Sequence, residues 1–230
     1  MYTTEVLRNV ASGQEAKLAT LKRILSGEVP RQHKLQFLKK NNHTDMLLIK
    51  RMKEAIGEKN SVAHGACVWA NAIMNCMTTN DSFLRDNLNW VGRATNWARF
   101  AATASIGVIH IGNTSKALEL LNPYLVGGGG DNSSPYSTSG AYYAYGMIHV
   151  NQFAPDSVQF LVNAFRNSGN NENIQHGICL GLGLIAMATG DETVYEELKN
   201  VLYTDSAVAG EAAGLAMGLV MLGTANETAI

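Results

Sequence analysis

FAATASIGVIHIG (100–112), SGAYYAYGMIHVN (139–151), HGICLGLGLIAMA (176–188) and EAAGLAMGLVMLG (211–223) are four versions of one apolar pattern. Each carries a glycine at an equivalent position: Gly107, Gly146, Gly183 and Gly218. Two residues earlier stand Ser105, Ala144, Gly181 and Ala216, and six earlier stand Ala101, Gly140, Gly177 and Ala212. The intervals between the glycines are 39, 37 and 35 residues. Periods of that size mean a stacked helical array, not a globular enzyme fold.

At about 100° per residue, the small sites six and two positions before the glycine share one face of a helix, and the glycine lies roughly opposite. The helix is thus slim on two sides and apolar nearly all round, which suits a helix held between two neighbours. Glycine inside a helix costs about 1 kcal/mol relative to alanine, so the pair Gly181 and Gly183 needs a packing reason. Close approach of backbones supplies it. A larger amphipathic helix is predicted after each of the first three: 114–125 (Ala117, Leu118, Leu121), 154–166 (Val158, Leu161, Phe165) and 191–203 (Val194, Leu198, Leu202). Asp191, Glu192 and Thr193 before Glu196 suit a helix start. Such hairpins cannot bury their faces alone, so they stack. The frame extends backwards: His64-Gly65-Ala66-Cys67 aligns with His176-Gly177-Ile178-Cys179 and puts Asn71 at the glycine position of a degenerate first repeat.

Of the 230 residues 46% are apolar, enough for a sizeable core, and no alternating run argues for a sheet. The fold class is therefore all-α: helical-hairpin repeats forming an α-solenoid. Residues 1–60 hold 12 Lys+Arg against 6 Asp+Glu, and residues 61–230 hold 6 against 13. The basic residues (Lys22, Arg23, Lys39, Lys40, Lys50, Arg51, Lys53) are spread over predicted helices at roughly 3–25, 31–40 and 44–57, with a turn at Ser26-Gly27. A solvated or partner-docking surface fits this spread better than a nucleic-acid face. Cys67, Cys76 and Cys179 lack CxxC spacing and read as reduced, buried thiols. No basic-then-apolar signal follows Met1, which points to a cytoplasmic and nuclear protein. The apolar stretch 207–225 is barely long enough to span a bilayer and falls in register with the repeats, so it reads as one of them.

Helices at 62–78 and 81–94 are predicted to bridge into the array, with Asn80 or Asp81 capping the second. The glycine run 127–130 reads as a linker between hairpins. Ile230 falls where the partner helix of the fourth repeat should begin, which suggests a fragment of a longer array whose final helix exposes Leu215, Leu219, Val220 and Leu222.

Several apparent chemical motifs dissolve in this frame. Gly181-Leu182-Gly183-Leu184-Ile185-Ala186 matches a loose dinucleotide fingerprint, but that motif needs a preceding strand and a glycine turn. His110 and His149 sit three residues after their glycines, as neighbours in the stack, yet no carboxylate or thiolate recurs in register to complete a metal site. His64 and His176 fall at helix starts, where imidazole caps or packs. No nucleophile elbow, HExxH helix or paired acids appear. No catalytic, cofactor-binding or metal-binding residue is assigned, and no cofactor is expected.

The Ala/Gly-rich helices with their GLGL core resemble the proteasome/cyclosome repeat family. Ser82-Phe83-Leu84-Arg85-Asp86-Asn87-Leu88, Arg93-Ala94-Thr95-Asn96-Trp97-Ala98-Arg99-Phe100, Gly210-Glu211-Ala212-Ala213-Gly214-Leu215-Ala216 and Leu35-Gln36-Phe37-Leu38 are similar to its large non-ATPase scaffold members in the proteasome regulatory particle. The resemblance covers about Leu21 to Ile230. It implies a rod of N-terminal helical hairpins (1–60), a degenerate first repeat or bridge (61–96) and repeats (97–230) belonging to an α-α toroid. It also implies a non-catalytic scaffold of the base of the particle, serving ubiquitin-dependent degradation and regulating the protease. Partners would be ATPase and lid subunits, with neither membrane nor nucleic acid. The receptor-recruiting tail of the family is absent here, so that docking is not carried over. The alternative is a scaffold of another assembly: the smaller proteasome paralogue or the large subunit of the anaphase-promoting complex.

Overall fold

The computed structural model describes residues 15–56, 61–125, 134–152 and 154–229; the glycine run of the predicted linker and residues 3–14 of the first predicted helix lie outside them. The described residues contain α- and 3-10 helices and no strand. The chain divides into two compact units, Met1–Asn42 and His43–Ile230.

In the first unit α1 (Glu15–Leu25) and α2 (Glu28–Lys40) pack on each other across a turn at Ser26 and Gly27. Gly27 takes φ 73°, a conformation glycine adopts without a Cβ penalty. Neither helix has a fully buried residue.

The second unit opens with α3 (Met46–Ile56) and α4 (Ser61–Met74). Although sequence groups α3 with residues 1–60, its Ile49 is fully buried in one apolar cluster with Cys67, Val68, Phe83 and Trp90. The predicted 81–94 helix is broken into α5 (Ser82–Asp86) and α6 (Leu88–Val91). The cause is Asn87, whose side-chain amide donates to the Phe83 carbonyl at 2.7 Å and diverts it from the helical ladder. Asp81 makes no side-chain cap; the Asn80 side-chain Oδ1 instead accepts from Ser82 N–H at 3.3 Å.

The four small-residue helices are α7 (Asn96–Ile109), α9 (Pro135–Ile148), α11 (Glu172–Ile185) and α13 (Ala207–Val220), each packed on the next, with α4 leading onto α7. The larger helices α10 (Pro155–Asn167) and α12 (Glu192–Leu202) match prediction closely. Asp191 caps α12, its carboxylate accepting from Val194 N–H at 2.9 Å. The predicted 114–125 helix is corrected: only α8 (Ala117–Leu121) is α-helical, between 3-10 turns at Thr114–Lys116 and Asn122–Tyr124. Pro123 has no N–H to continue the ladder, and the last turn tightens instead. Leu118 lies half out of the core while Ala117 and Leu121 are buried.

Stacking follows one register. A Cβ added to Gly107 would fall 2.6 Å from Ala144 Cα, one on Gly146 2.4 Å from Gly181 Cα, and one on Gly183 2.7 Å from Ala216 Cα. Each repeat's glycine therefore seats the small residue two positions before the glycine of the next. Six positions before, Gly140 would meet the Phe100 carbonyl at 2.4 Å and Gly177 the Ser139 carbonyl at 2.1 Å, equivalent atoms of the preceding helices. Two residues after the glycines, Ile109, Ile148, Ile185 and Val220 are all fully buried. Burial of Val220 corrects the prediction that it is exposed. Leu215 and Leu222 are exposed as expected, Leu219 is half-buried, and nothing lies within 4 Å of a Cβ on Gly218.

A backbone staple reinforces the register. Gly112, Asn151, Ala188 and Gly223, each five residues after its glycine, have φ of 82°, 53°, 59° and 74°. The first three donate their N–H to Ile148, Leu184 and Leu219 carbonyls at the C-terminal end of the next small-residue helix, at 2.9–3.0 Å. Those carbonyls would otherwise be orphans of the helix end. In the degenerate first repeat Met77 and Thr79 do the same for Val108 and Ile109.

Candidate functional site

The residues singled out for chemistry are placed by this stack. Gly181 and Gly183 lie inside α11, one over the Tyr142 carbonyl and the other on Ala216, so the dinucleotide-like motif is a packing feature. Cys67 and Cys179 are buried and Cys76 is half-buried, all three as thiols. Burial raises each above its usual range, Cys179 to about 12.

Three of the four singled-out histidines meet backbone carbonyls. His64 Nε2 lies 2.9 Å from the Trp90 carbonyl, His149 Nδ1 2.9 Å from the Tyr145 carbonyl, and His176 Nδ1 2.8 Å from the Val208 carbonyl of the next repeat. A carbonyl only accepts, so those ring nitrogens carry hydrogen. His110 is different. Its Nε2 lies 3.4 Å from the buried Asp81 carboxylate, which also pairs with Arg85 at 2.9 Å. Burial pulls the His110 imidazole below its usual range, a stronger influence than the opposing pull of Asp81. The carboxylate missing from the repeat register is thus supplied from outside the repeat, 29 residues upstream. Among the described residues no group of three or more His, Cys, Asp or Glu converges to hold a metal ion. No helix among them is long and apolar enough to cross a membrane.

The organised side-chain surface of the stack is aromatic. Trp97 sits edge-on to Phe100, Tyr136 and His176 with ring centroids 5.4, 5.3 and 5.0 Å away, and Phe100 stacks on Tyr143 at 5.8 Å. These partly exposed rings come from α7, α9 and α11 and tie three repeats together. Sequence reasoning missed this cluster, although Trp97 and Tyr136 both stand ten residues before their glycines. Such a surface suits binding: large, rigid rings give contact area at small conformational cost.

Residues 179–211, a little less than one period of the array, match the proteasome/cyclosome repeat family. The chain is 53% identical over 214 residues to the 26S proteasome non-ATPase regulatory subunit 1 homolog A of Arabidopsis thaliana, covering 93% of this chain and 21% of that protein. It is 52% identical to homolog B of the same plant over the same shares, and 48% identical over 228 residues to the 26S proteasome non-ATPase regulatory subunit 1 of Drosophila melanogaster, covering 99% of this chain and 22% of that one. The chain spans about a fifth of the length of these relatives. Identity of about one half along nine-tenths of the chain, together with the repeat match at 179–211, makes it a member of the proteasome/cyclosome repeat family, in the line of the 26S proteasome non-ATPase regulatory subunit 1 proteins.

Proposed function

We propose that this chain is a segment of a non-catalytic scaffold in the base of the 26S proteasome regulatory particle. In this reading residues 1–60 form the rod, its last helix α3 already belonging to the second compact unit, 61–96 the bridge, and 97–230 a sector of the repeat toroid. The scaffold holds ATPase and lid subunits in place for ubiquitin-dependent protein degradation in cytoplasm and nucleus, and so regulates the protease without catalysing a step itself.

The observation that carries this reading is the glycine register. Helix backbones approach so closely at Gly107, Gly146 and Gly183 that none of these positions admits even a Cβ. Interdigitated backbones of this kind resist deformation, because a close-packed interface forfeits much of its attraction over a gap of about 1 Å. Rigidity is what a holder of several subunits needs. The relatives carry the words proteasome and non-ATPase in their own names, which agrees with a structural part.

Affinity purification of the full-length protein, with mass spectrometry of what accompanies it, tests the proposal. Stoichiometric recovery of proteasomal ATPases and lid subunits is expected. Recovery of cullin-type ligase subunits in their place would overturn it in favour of the anaphase-promoting complex.

A further inference from the structure

The unit His43–Ile230 is acidic, with 10 Lys+Arg against 16 Asp+Glu, but its charges are segregated. Residues 43–99 hold 7 basic and 5 acidic side chains; residues 100–230 hold 3 and 11. The basic excess gathers on a cleft of about 450 Å³ walled by Lys53 of α3, Arg85 of α5, Asn87, Asn89 and Trp90 around α6, and Arg93 beyond it. Asp86 is the one carboxylate in its lining. Arg85 also pairs with the buried Asp81, and Lys53 is held by the Asn87 side-chain carbonyl with its ammonium 5.9 Å over the Trp90 ring. Lysine and arginine normally lose much rotamer freedom on binding, and a side chain already tethered loses less.

The cleft does not stand alone. Leu88, 59% exposed, lines both it and a second hollow of about 360 Å³. That hollow is walled by Val91, Ala102, Ile106 and Tyr124, from α6, α7 and the turn after α8. Arg99 in its lining is turned away from ligand duty, with Nε and Nη2 donating to the Ala94 and Gly92 carbonyls. A charged cleft and an apolar groove therefore share a rim at one exposed leucine.

We propose that this composite surface docks an extended acidic segment of a partner protein, its carboxylates taken by Lys53, Arg85 and Arg93 and a neighbouring apolar side chain by the groove beyond Leu88. Charge complementarity selects the occupant. Counting Asp81, which already pairs with Arg85, three cations stand against two carboxylates, leaving a net positive charge that calls for an anion, and arginine favours planar carboxylates through paired N–H donors. A nucleic acid carries charge along its whole length, whereas the unit that bears the cleft has six more acids than bases. A short acidic peptide confines its charge to the cleft, and only a peptide also supplies a side chain for the groove.

Fluorescence anisotropy with the 230-residue chain decides the matter. The probe is a fluorescein-labelled peptide of glutamates and serines around one Leu-Phe pair. Companion peptides replace glutamates by lysines, or Leu-Phe by serines, and a single-stranded oligonucleotide of equal charge is run beside them. Saturable binding of the first peptide is expected. Arg93→Glu and Asn89→Glu should each weaken it about tenfold, Leu88→Ser about fivefold, and Arg93→Lys much less. Asn89→Glu adds charge at an exposed position, and an unchanged thermal melt shows that the fold survives. Absence of binding, equal binding of the lysine peptide, or indifference to both glutamate substitutions in a folded chain would overturn the proposal. So would an oligonucleotide binding as tightly with no effect of Leu88→Ser, since the surface would then read charge alone. Failure here leaves the scaffold reading standing, because that rests on the stack and on co-purification.

Discussion

Gly146→Ala is the sharpest perturbation of the stack. The added Cβ falls 2.4 Å from Gly181 Cα and 2.8 Å from its carbonyl oxygen, against an ordinary carbon–carbon contact of about 3.5–4.0 Å. Both obstacles are backbone, so no side-chain rotation relieves them, and α9 and α11 must separate by about 1 Å. Overpacking of this kind costs about 1–3 kcal/mol, and a clash with backbone belongs at the upper end. Alanine returns about 1 kcal/mol of helix propensity, leaving a net loss of about 2 kcal/mol. For a chain of this size that is a drop of about 4–8 °C in Tm. Gly218→Ala is the matched control. Nothing lies within 4 Å of its Cβ, so in this 230-residue chain only the propensity gain of up to about 1 kcal/mol remains, raising Tm by about 2–4 °C. Far-UV circular dichroism melts of the two variants give the comparison. Because long repeat arrays do not always unfold in one step, hydrogen exchange over 142–148 and 181–185 should localise the loss to the α9–α11 interface. A Gly146→Ala chain as stable as its parent, or a Gly218→Ala chain destabilised equally, would refute the account of the register.

Other consequences can be checked on the same chain. His110 is held below its usual value of 6.5 by burial, so the folded state binds a proton less readily than the unfolded one; its contribution is full above about pH 6.5 and is lost as pH falls further. Urea midpoints should therefore fall between neutral and mildly acidic pH, and His110→Asn should flatten that slope. Alkylation by iodoacetamide near pH 8 should reach half-buried Cys76 first, while Cys179, with its thiol pushed up to about 12, should react only as the chain unfolds. Asp191→Ala removes the cap accepting from Val194 N–H and should cost about 1 kcal/mol, read as a Tm drop of about 2–4 °C.

The repeat helices were legible because glycine is a poor helix residue that must be justified by packing, and because Gly107, Gly146 and Gly183 keep the same company of small residues. The offset of the stack was not. That each glycine meets the residue two before the next glycine is fixed by how two helices approach in space, which no single-helix pattern encodes. Local breaks escaped for another reason: Asn87 and Pro123 act through one hydrogen bond made or missing, a smaller signal than the apolar periodicity around them. Asp81 escaped because it stands on a bridging segment, and its partner His110 is recognisable only once the turn after α4 has been stapled to the end of α7.

Val220 is the instructive miss, since it was readable. Its equivalents Ile109, Ile148 and Ile185, two residues after each glycine, are β-branched and fully buried. An end helix keeps the face that looks back along the array, and only the face looking forward is uncovered. Val220 belongs to the first, whereas Gly218, with nothing within 4 Å, belongs to the second, and exposed Leu215 and Leu222 are uncovered with it. Reading α13 as apolar all round hides that division; reading each position against its three equivalents recovers it. The same comparison explains the exposure of Gly218: Gly107, Gly146 and Gly183 each seat a small residue of the following helix, Ala144, Gly181 and Ala216, and among the described residues nothing fills that place on Gly218.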